Sequence, residues 1–170
     1  MERKHPANLF VRDCMTKALF KLMKKRDYHE ISVSELVKTA GVSRNSFYRN
    51  YQSFDEILSQ YLIDKTTAWW SDFIAHPDRY PHVIAEMFGH FLKMREEINL
   101  LYQAGLSHLL MEHIIFCGKQ SLTGEVENAY QTAFMSGGLW GLTNEWVLRG
   151  MIETPDAMER MFHNQGSAKQ

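Results

Sequence analysis

Three consecutive polar residues, Arg44-Asn45-Ser46, are the side chains of this sequence best suited to contact the edges of DNA bases. An arginine can pair bidentately with guanine and an asparagine with adenine, while a serine can reach a base or a phosphate. Each good bidentate pair contributes about 1–3 kcal/mol of discrimination against the wrong base. We call these three residues the recognition edge. They can act together only in the first turn of a helix that enters the major groove. The hypothesis of base recognition therefore depends on whether the surrounding sequence forms such a helix.

The stretch 31–51, ISVSELVKTAGVSRNSFYRNY, predicts two short helices around a tight turn. Ser34 is placed to cap a helix over residues 35–40, and Gly41 allows that helix to end in a left-handed conformation at low steric cost. Ser43 can then cap a second helix that begins with the recognition edge. A helix, a three-residue turn and a second helix have the spacing of a DNA-binding helix-turn-helix motif.

Polar residues around the recognition edge can contact phosphates, which sets the register on DNA without reading its sequence. They are Arg49 and Asn50 on the same helix and, flanking the groove, Ser32, Ser34, Lys38 and Ser43. A second interpretation stays open, in which Ser43 is only a helix cap and Tyr48 only a core residue.

The charge of the chain is divided unevenly between its two ends. Residues 1–54 hold 11 basic and 5 acidic side chains, a net charge of +6, whereas residues 55–170 hold 8 basic and 15 acidic ones, a net charge of −7. A small basic lobe on an acidic body would attract phosphate at one end only. The alternative is a chance clustering of lysines on one solvated helix face.

The composition indicates a reduced, cytoplasmic protein. Cys14 and Cys117 are the only cysteines and form no C-x-x-C pattern, which fits neither a disulfide scaffold nor a metal finger. The N-terminus has no apolar segment behind its charges, and no run of about 18 apolar residues occurs, so neither export nor a membrane partner is expected.

Apolar residues recur at helical spacing along the whole chain, and no segment alternates with a period of two. The expected fold class is therefore all-α, with about nine helices. Asn8 is a plausible cap for a first helix from Leu9 to about Arg26, and Ser53 for a long connecting helix. We expect a helix-turn-helix domain over residues 1–53 and a second helical domain over residues 54–170.

Several short matches in the N-terminal part resemble the TetR family of bacterial transcriptional regulators. They are Leu19-Phe20, Ile31-Ser32-Val33, Ala40-Gly41-Val42-Ser43, Tyr48 and Tyr51. The resemblance covers about residues 9–62. The phrases ISVSELVKTA and SFYRNY are also similar to the dihydroxyacetone-kinase-regulator subgroup.

The resemblance implies a DNA-binding regulator, more often a repressor than an activator, that releases a double-stranded operator when a small-molecule effector binds. It implies a phosphate contact by Tyr48. Two departures bear on DNA binding: Asn45 stands where the family often has a small residue, and Phe54 where it usually has a lysine that contacts phosphate.

A single recognition helix touches few bases and phosphates, so a homodimer on a pseudo-palindromic operator is expected. The resemblance places the dimer interface on the last two long helices, with candidates Phe134, Gly138, Trp140, Leu142 and Trp146, which could equally belong to the monomer core. Candidates for the effector pocket are Trp69, Phe73, Phe88, Phe91, Met94, Tyr102, Met111 and Phe116, with His90, His113 or Asn144 as polar contacts. An aromatic and methionine stripe is more often ordinary core.

Neither metal nor enzyme chemistry finds a pattern in the sequence. His113 and Cys117, like Glu86 and His90, are four residues apart, but no third ligand is fixed nearby. No nucleophile-elbow, Walker, dinucleotide-binding or H-E-x-x-H motif occurs, so no catalytic residue and no cofactor is expected. The main alternative keeps the same fold but acts as a co-regulator through protein contacts, and the loss of lysine at Phe54 favours it.

Overall fold

The structure, a computed structural model, describes residues 6–120 and 126–164. Within these ranges the chain forms nine α-helices and no β-strand, which confirms the all-α prediction. Two single-turn 3₁₀ helices, Tyr28–Glu30 and Pro77–Arg79, lie between them. The expected break at Thr123-Gly124 falls outside the described residues. The helices are α1 Pro6–Met23, α2 Val33–Ala40, α3 Arg44–Asn50, α4 Phe54–Ala75, α5 Val83–Lys93, α6 Arg95–Gln103, α7 Ser107–Gln120, α8 Val126–Leu148 and α9 Pro155–Asn164.

The first three helices pack around a small apolar core. Met15 and Leu19 of α1, Leu36 of α2 and Phe47 of α3 are buried, and Tyr51 closes the cluster just after α3. Their spacing at three and four residues along α1 puts them on one side of that helix, as the sequence predicts. This core holds α2 and α3 at a fixed angle to α1.

Two of the predicted helix starts are wrong. The cap of α2 is Ser32, not Ser34: its hydroxyl accepts a hydrogen bond from the backbone N–H of Glu35, and the Glu35 carboxylate accepts one from the backbone N–H of Ser32. This reciprocal pair is a capping box, and it satisfies two N–H groups where a cap at Ser34 would satisfy one. Asn8 lies inside α1, which begins at Pro6, a residue well suited to the first turn.

The turn between α2 and α3 forms as predicted. Gly41 ends α2 with a φ of 67°, in the left-handed region that glycine adopts without a steric penalty. Ser43 caps α3 by accepting a hydrogen bond from the backbone N–H of Ser46. Ser53 caps α4 in the same way. These three positions fix where α3 begins and ends relative to its neighbours.

Helix α4 joins the two halves of the molecule. Ile57, Leu58 and Leu62 in its first half are fully buried against the N-terminal core. The ring of Tyr61 packs edge-on against Phe20 of α1, with centroids 4.9 Å apart. The second half of α4 runs along α7 in the C-terminal body. A displacement of α4 would therefore change its contacts with both α1 and α7.

Helices α5 to α9 build the C-terminal body, in which α7 packs on α8 and α5 on α9. Phe88 of α5 meets Trp146 of α8 edge-on at 5.1 Å, and both side chains are buried. Gly118 lets α7 approach α8 closely, since a Cβ atom there would lie 2.4 Å from the Ser136 hydroxyl. In the part of the chain that the structure describes, no helix is both long and apolar enough to cross a membrane.

Candidate nucleic-acid interface and interior cavity

Helix α3 presents a polar face to solvent because its apolar face is anchored in the core. Phe47 is 1% exposed and packs edge-on against Phe54, with ring centroids 5.8 Å apart. Elsewhere on the helix, Arg44, Asn45 and Arg49 are exposed, and Ser46 is half-buried. The structure therefore brings the recognition edge to the surface, in the first turn of a short helix.

Tyr48 belongs to the surface and not to the core, since 55% of it is exposed. The Arg44 guanidinium donates a hydrogen bond to the Tyr48 hydroxyl at 3.2 Å and lies 5.7 Å from the centre of its ring. The interpretation of Tyr48 as a core residue is thereby wrong. If Arg44 contacts a base, its guanidinium must either separate from the Tyr48 side chain or move together with it.

Other polar side chains of this surface are already hydrogen-bonded within the helix-turn-helix. The Ser43 and Ser46 hydroxyls lie 2.9 Å apart, and the Asn50 amide donates to the Ser46 carbonyl at 2.7 Å. Ser32 is engaged in the capping box, whereas Ser34 and Lys38 are exposed on α2. The predicted contact residues thus differ in how free their side chains are.

Positive charge in the N-terminal domain is neutralised in one part and left unpaired in another. Lys17 pairs with Asp13 at 2.6 Å, Lys24 with Glu96 at 2.6 Å, and Arg26 with Glu30 and Glu35. Among the described residues, no carboxylate forms an ion pair with the helix-turn-helix cations Lys38, Arg44 and Arg49. Lys21 of α1 and Lys25 just after it are also exposed and form no ion pair with a described residue, so the unpaired positive charge extends from α1 to α2 and α3.

Phe54, which replaces the expected lysine, has a structural role. It is half-buried at the start of α4 and packs edge-on against both Tyr28 and Phe47. The Tyr28 hydroxyl hydrogen-bonds to Asp55, and burial raises the pKa of that tyrosine well above its usual range. Phe54 thus stabilises the packing between α3 and α4, whereas a lysine at this position would supply a cation.

A cavity of about 420 Å³ lies in the C-terminal body between α4, α5, α7, α8 and α9. Its size falls in the range of small-molecule sites. Of the eight predicted pocket residues, Trp69, Phe73 and Phe91 line it. Thr66, Trp70, Met135, Ser136 and Phe162 also line it and were missed.

The other five predicted pocket residues lie elsewhere. Phe88 and Met94 are buried in the core, and the Tyr102 hydroxyl donates to the Asn144 side chain at 3.0 Å. Phe116 is 45% exposed, and Met111 is half-buried on the same helix. The spacing of these residues predicts an apolar helix face. It does not show which side chains pack against another helix and which line a cavity.

The polar side chains that line the cavity are those of His90, His113, Thr66, Cys117, Gln131, Thr132 and Ser136. The predicted polar contact Asn144 does not line it. His113 Nε2 lies 2.8 Å from the Thr66 hydroxyl and 3.7 Å from Cys117 Sγ. Burial lowers the pKa of His113 to about 4 and raises that of the Cys117 thiol to about 11, so both are neutral at pH 7. No group of three or more metal-ligating side chains forms within residues 6–120 and 126–164.

The outer face of α8 is apolar and open. Tyr130 is 76% and Phe134 80% exposed, and a groove of about 610 Å³ runs past Phe134, Gly138 and Leu142 to Phe162 of α9. Trp140 is half-buried. The candidate Trp146 is 1% exposed and donates to the Glu153 carbonyl inside the body, so it cannot contribute to an outer surface.

We compared the chain with known protein families and known proteins. The family described as "Bacterial regulatory proteins, tetR family" matches residues 16–61, which run from α1 to the first half of α4. This segment of the chain therefore matches the N-terminal domain of the TetR family. The family match ends before the cavity and before the open face of α8.

A known protein and a solved structure are similar to this chain. The "HTH-type dhaKLM operon transcriptional activator DhaS" of Lactococcus lactis subsp. lactis (strain IL1403) is 36% identical over 52 residues, which is 31% of this chain and 28% of that protein. The solved structure of the "Dihydroxyacetone kinase operon activator DhaS" covers 91% of this chain and 92% of its own, with a TM-score of 0.57 and 19% identity. At that identity the second likeness concerns the fold alone.

Proposed function

We propose that this chain is a TetR-family regulator, that it binds a pseudo-palindromic DNA operator as a homodimer, and that a small molecule in its cavity changes the affinity for DNA. The observation that carries the proposal is the exposed polar face of α3, whose cations Arg44 and Arg49 form no ion pair with any described residue. A helix with this surface, held at its apolar side by a buried phenylalanine, can insert into the major groove.

The roles of the side chains follow from their chemistry and freedom. Arg44 and Asn45 are exposed and can contact guanine and adenine, with Ser46 beside them. Arg49 and Lys38 are free cations for phosphates, and Tyr48 can contact a phosphate through its hydroxyl once Arg44 leaves it. Ser32, Ser34, Ser43 and Asn50 complete the proposed contact surface.

The proposed domain division is residues 1–53 for DNA binding and 54–170 for effector binding and dimerisation. Residue 53 caps α4, so the boundary falls at the start of the helix that enters both halves. A protein that binds genomic DNA in a bacterium would act in the cytoplasm. No step of this function requires a cofactor or a catalytic residue.

The open face of α8 supports dimerisation. An apolar surface of this extent on a soluble protein marks an interaction site, and a second copy of the chain would cover it symmetrically. In the proposed dimer Phe134 and Leu142 lie at the interface, and Gly138 allows the two α8 helices to approach. Trp140 lies beside them, but the buried Trp146 has no part in it.

Effector coupling would pass through α4. This helix contributes Thr66, Trp69 and Trp70 to the cavity and Tyr61 to the contact with α1. A ligand that fits the cavity better in one position of α4 than in another would favour one separation of the two α3 helices.

DNA binding is tested by selecting bound fragments from genomic DNA and measuring their affinity by fluorescence anisotropy. We expect Arg44→Ala to weaken binding by about 5–100-fold, the loss of a bidentate contact. Arg79→Ala, which removes an exposed arginine from the acidic body, is the control and should change little. Unchanged affinity and salt dependence in Arg44→Ala would exclude α3 as the recognition helix.

The same selection separates the alternative function. If no fragment is retained and a second protein is bound instead, the chain is a co-regulator acting through protein contacts, in line with the missing lysine at Phe54. If fragments are retained, a reporter gene placed behind them shows the sign of regulation. Repression was our expectation from the family, whereas the similar DhaS is named an activator.

Dimerisation is tested by sedimentation with one charge placed on the open face. Phe134→Asp should shift the protein from dimer to monomer, since it buries a carboxylate in an apolar interface. Phe10→Asp is the matched control, because Phe10 is 69% exposed on α1, far along the chain from the proposed interface. A wild-type chain that is monomeric at micromolar concentration would contradict the proposal.

A further inference from the structure

The wall of the cavity is aromatic and uncharged. Trp69, Trp70 and Phe73 of α4, Phe91 of α5 and Phe162 of α9 contribute rings, and none of the lining side chains is Asp, Glu, Lys or Arg. The rings of Trp69 and His90 are stacked at an interplanar angle of 12°, and those of Trp69 and Phe73 at 15°. Parallel flat surfaces of this kind suit a flat apolar ligand.

His113 brings one unfilled hydrogen-bond position to this wall. The side chain is 6% exposed, and its Nε2 lies 2.8 Å from the Thr66 hydroxyl. That hydroxyl lies 3.0 Å from the Leu62 carbonyl, the acceptor for its single proton. His113 Nε2 must then donate to Thr66, which leaves Nδ1 as an acceptor, and Nδ1 is buried without a partner.

Two further nitrogen atoms of the cavity lining are buried without partners. They are Nε1 of Trp70, which can only donate, and Nε2 of His90. Buried polar groups of folded proteins are nearly always hydrogen-bonded, so these three atoms are positions that a ligand or an ordered water can complete. Burial also lowers the pKa of both histidines, which leaves no positive charge to hold an anion.

We propose that the ligand of this cavity is an uncharged, mainly aromatic molecule that carries a hydroxyl group, such as a phenol or an aromatic alcohol. Its hydroxyl donates to Nδ1 of His113, an oxygen of the ligand accepts from Nε1 of Trp70, and its ring lies against Trp69 and Phe73. The inference rests on the proposed function, in which the cavity holds the effector.

The same geometry disfavours two other classes of ligand. A carboxylate would lose its hydration without meeting a cation in the lining. A small polyol has few apolar atoms to set against the aromatic rings, and its hydroxyl groups would find partners only at polar lining side chains such as Gln131, Thr132 and Ser136. The aromatic, uncharged lining therefore favours an apolar, uncharged frame that carries a hydroxyl group.

Calorimetric titration of the full chain with 2-naphthol, naphthalene, 2-naphthoate and glycerol tests the proposal. We expect 2-naphthol to bind about 2–10-fold more tightly than naphthalene, the effect of one neutral hydrogen bond, and 2-naphthoate and glycerol to bind at least tenfold more weakly than 2-naphthol. Tighter binding of 2-naphthoate or of glycerol than of 2-naphthol would overturn the proposal, and so would no binding of any aromatic probe at millimolar concentration.

Two variants locate the hydroxyl contact. His113→Leu should remove the preference for 2-naphthol over naphthalene and leave naphthalene binding in place. Trp70→Phe keeps an aromatic ring, replaces the indole and its N–H donor with a smaller phenyl ring, and should reduce the preference in part, which keeps the test open if His113→Leu does not fold. A full preference that survives in both variants would overturn the assignment.

DNA binding is measured separately, by anisotropy on the selected fragments, so that the two proposals can fail independently. Retained DNA binding without binding of any naphthyl probe rejects the ligand class and leaves the regulator. Binding of 2-naphthol without any DNA binding rejects the regulator and leaves the ligand class. Binding of both, with 2-naphthol changing the DNA affinity, supports the two proposals together.

Discussion

The two halves of the molecule distribute polar and apolar groups in opposite ways. In the N-terminal domain the polar side chains of α3 are exposed and Phe47 fills the interior. In the C-terminal body, Phe134 of α8 is exposed, while the unpaired nitrogens of His113 and Trp70 are inside. We propose on this basis that the first half binds a charged, hydrated partner at its surface. We propose that the second half binds an apolar partner at its outer face and a small molecule in its cavity.

The largest expected effect separates core from surface on α3. Phe47→Ala should lower the free energy of unfolding by about 3–5 kcal/mol, because it removes a fully buried ring. Tyr48→Ala, one residue further on and 55% exposed, should change stability by no more than about 0.5 kcal/mol. Urea denaturation followed by circular dichroism measures both. Equal losses would mean that Tyr48 is part of the core.

Acid sensitivity should belong to the C-terminal body. Since the pKa of His113 falls from 6.5 to about 4 on folding, only the unfolded chain takes up its proton between these values. The stabilising effect is complete above pH 6.5 and is lost as the pH falls towards 4, a change on the order of 2–3 kcal/mol. His113→Leu should flatten the stability profile in this window. An unchanged slope would show that His113 is accessible to protons in the folded state.

The contact between α7 and α8 can be tested at Gly118. Gly118→Ala should cost about 1–3 kcal/mol, because the new methyl group would lie 2.4 Å from the Ser136 hydroxyl and 3.3 Å from a Thr132 methyl carbon. Gly89→Ala in α5 is the control: its nearest neighbour, Pro155, is 3.9 Å away, so helix propensity predicts no loss. Thermal denaturation compares the two. A stable Gly118→Ala protein would contradict the close approach of these helices.

The smallest expected effect distinguishes the two serines at the start of α2. Ser32→Ala should destabilise the domain by about 1 kcal/mol through loss of the capping box, and Ser34→Ala by much less. If Ser34 contacts a phosphate, Ser34→Ala should weaken DNA binding without affecting stability. Denaturation and anisotropy on the same two proteins give both answers, and a larger stability loss for Ser34→Ala would refute the assigned cap.

Local chemistry in the sequence was enough to predict much of the N-terminal domain. Gly41, Ser43 and Ser53 each act on their own neighbours, and their predicted roles are confirmed. Ser32 was missed although the S-x-x-E spacing to Glu35 carries its signal, which could have been found. The exposure of Asn45 follows from Phe47, since residues two apart in a helix lie on nearly opposite sides. Arg44 stands three residues before Phe47 and lies nearer to the same side, so its exposure does not follow in this way.

The C-terminal body was harder to predict because its features depend on contacts between distant helices. Phe88 and Phe91 are three residues apart on one helical face, yet Phe88 meets Trp146 and only Phe91 borders the cavity. The hydrogen bond between Thr66 and His113 joins residues 47 positions apart, and no local sequence pattern predicts it. Trp146 was assigned to an interface because sequence alone does not tell a buried anchor from an exposed one.

Hydrogen–deuterium exchange with and without the selected DNA tests the division of labour between the two halves most directly. We expect slower amide exchange in residues 32–50 on DNA binding and little direct protection in α7, which lines the cavity. Addition of 2-naphthol should protect α7 and the second half of α4 instead. DNA-dependent protection confined to α8 and α9, with none in residues 32–50, would contradict the account.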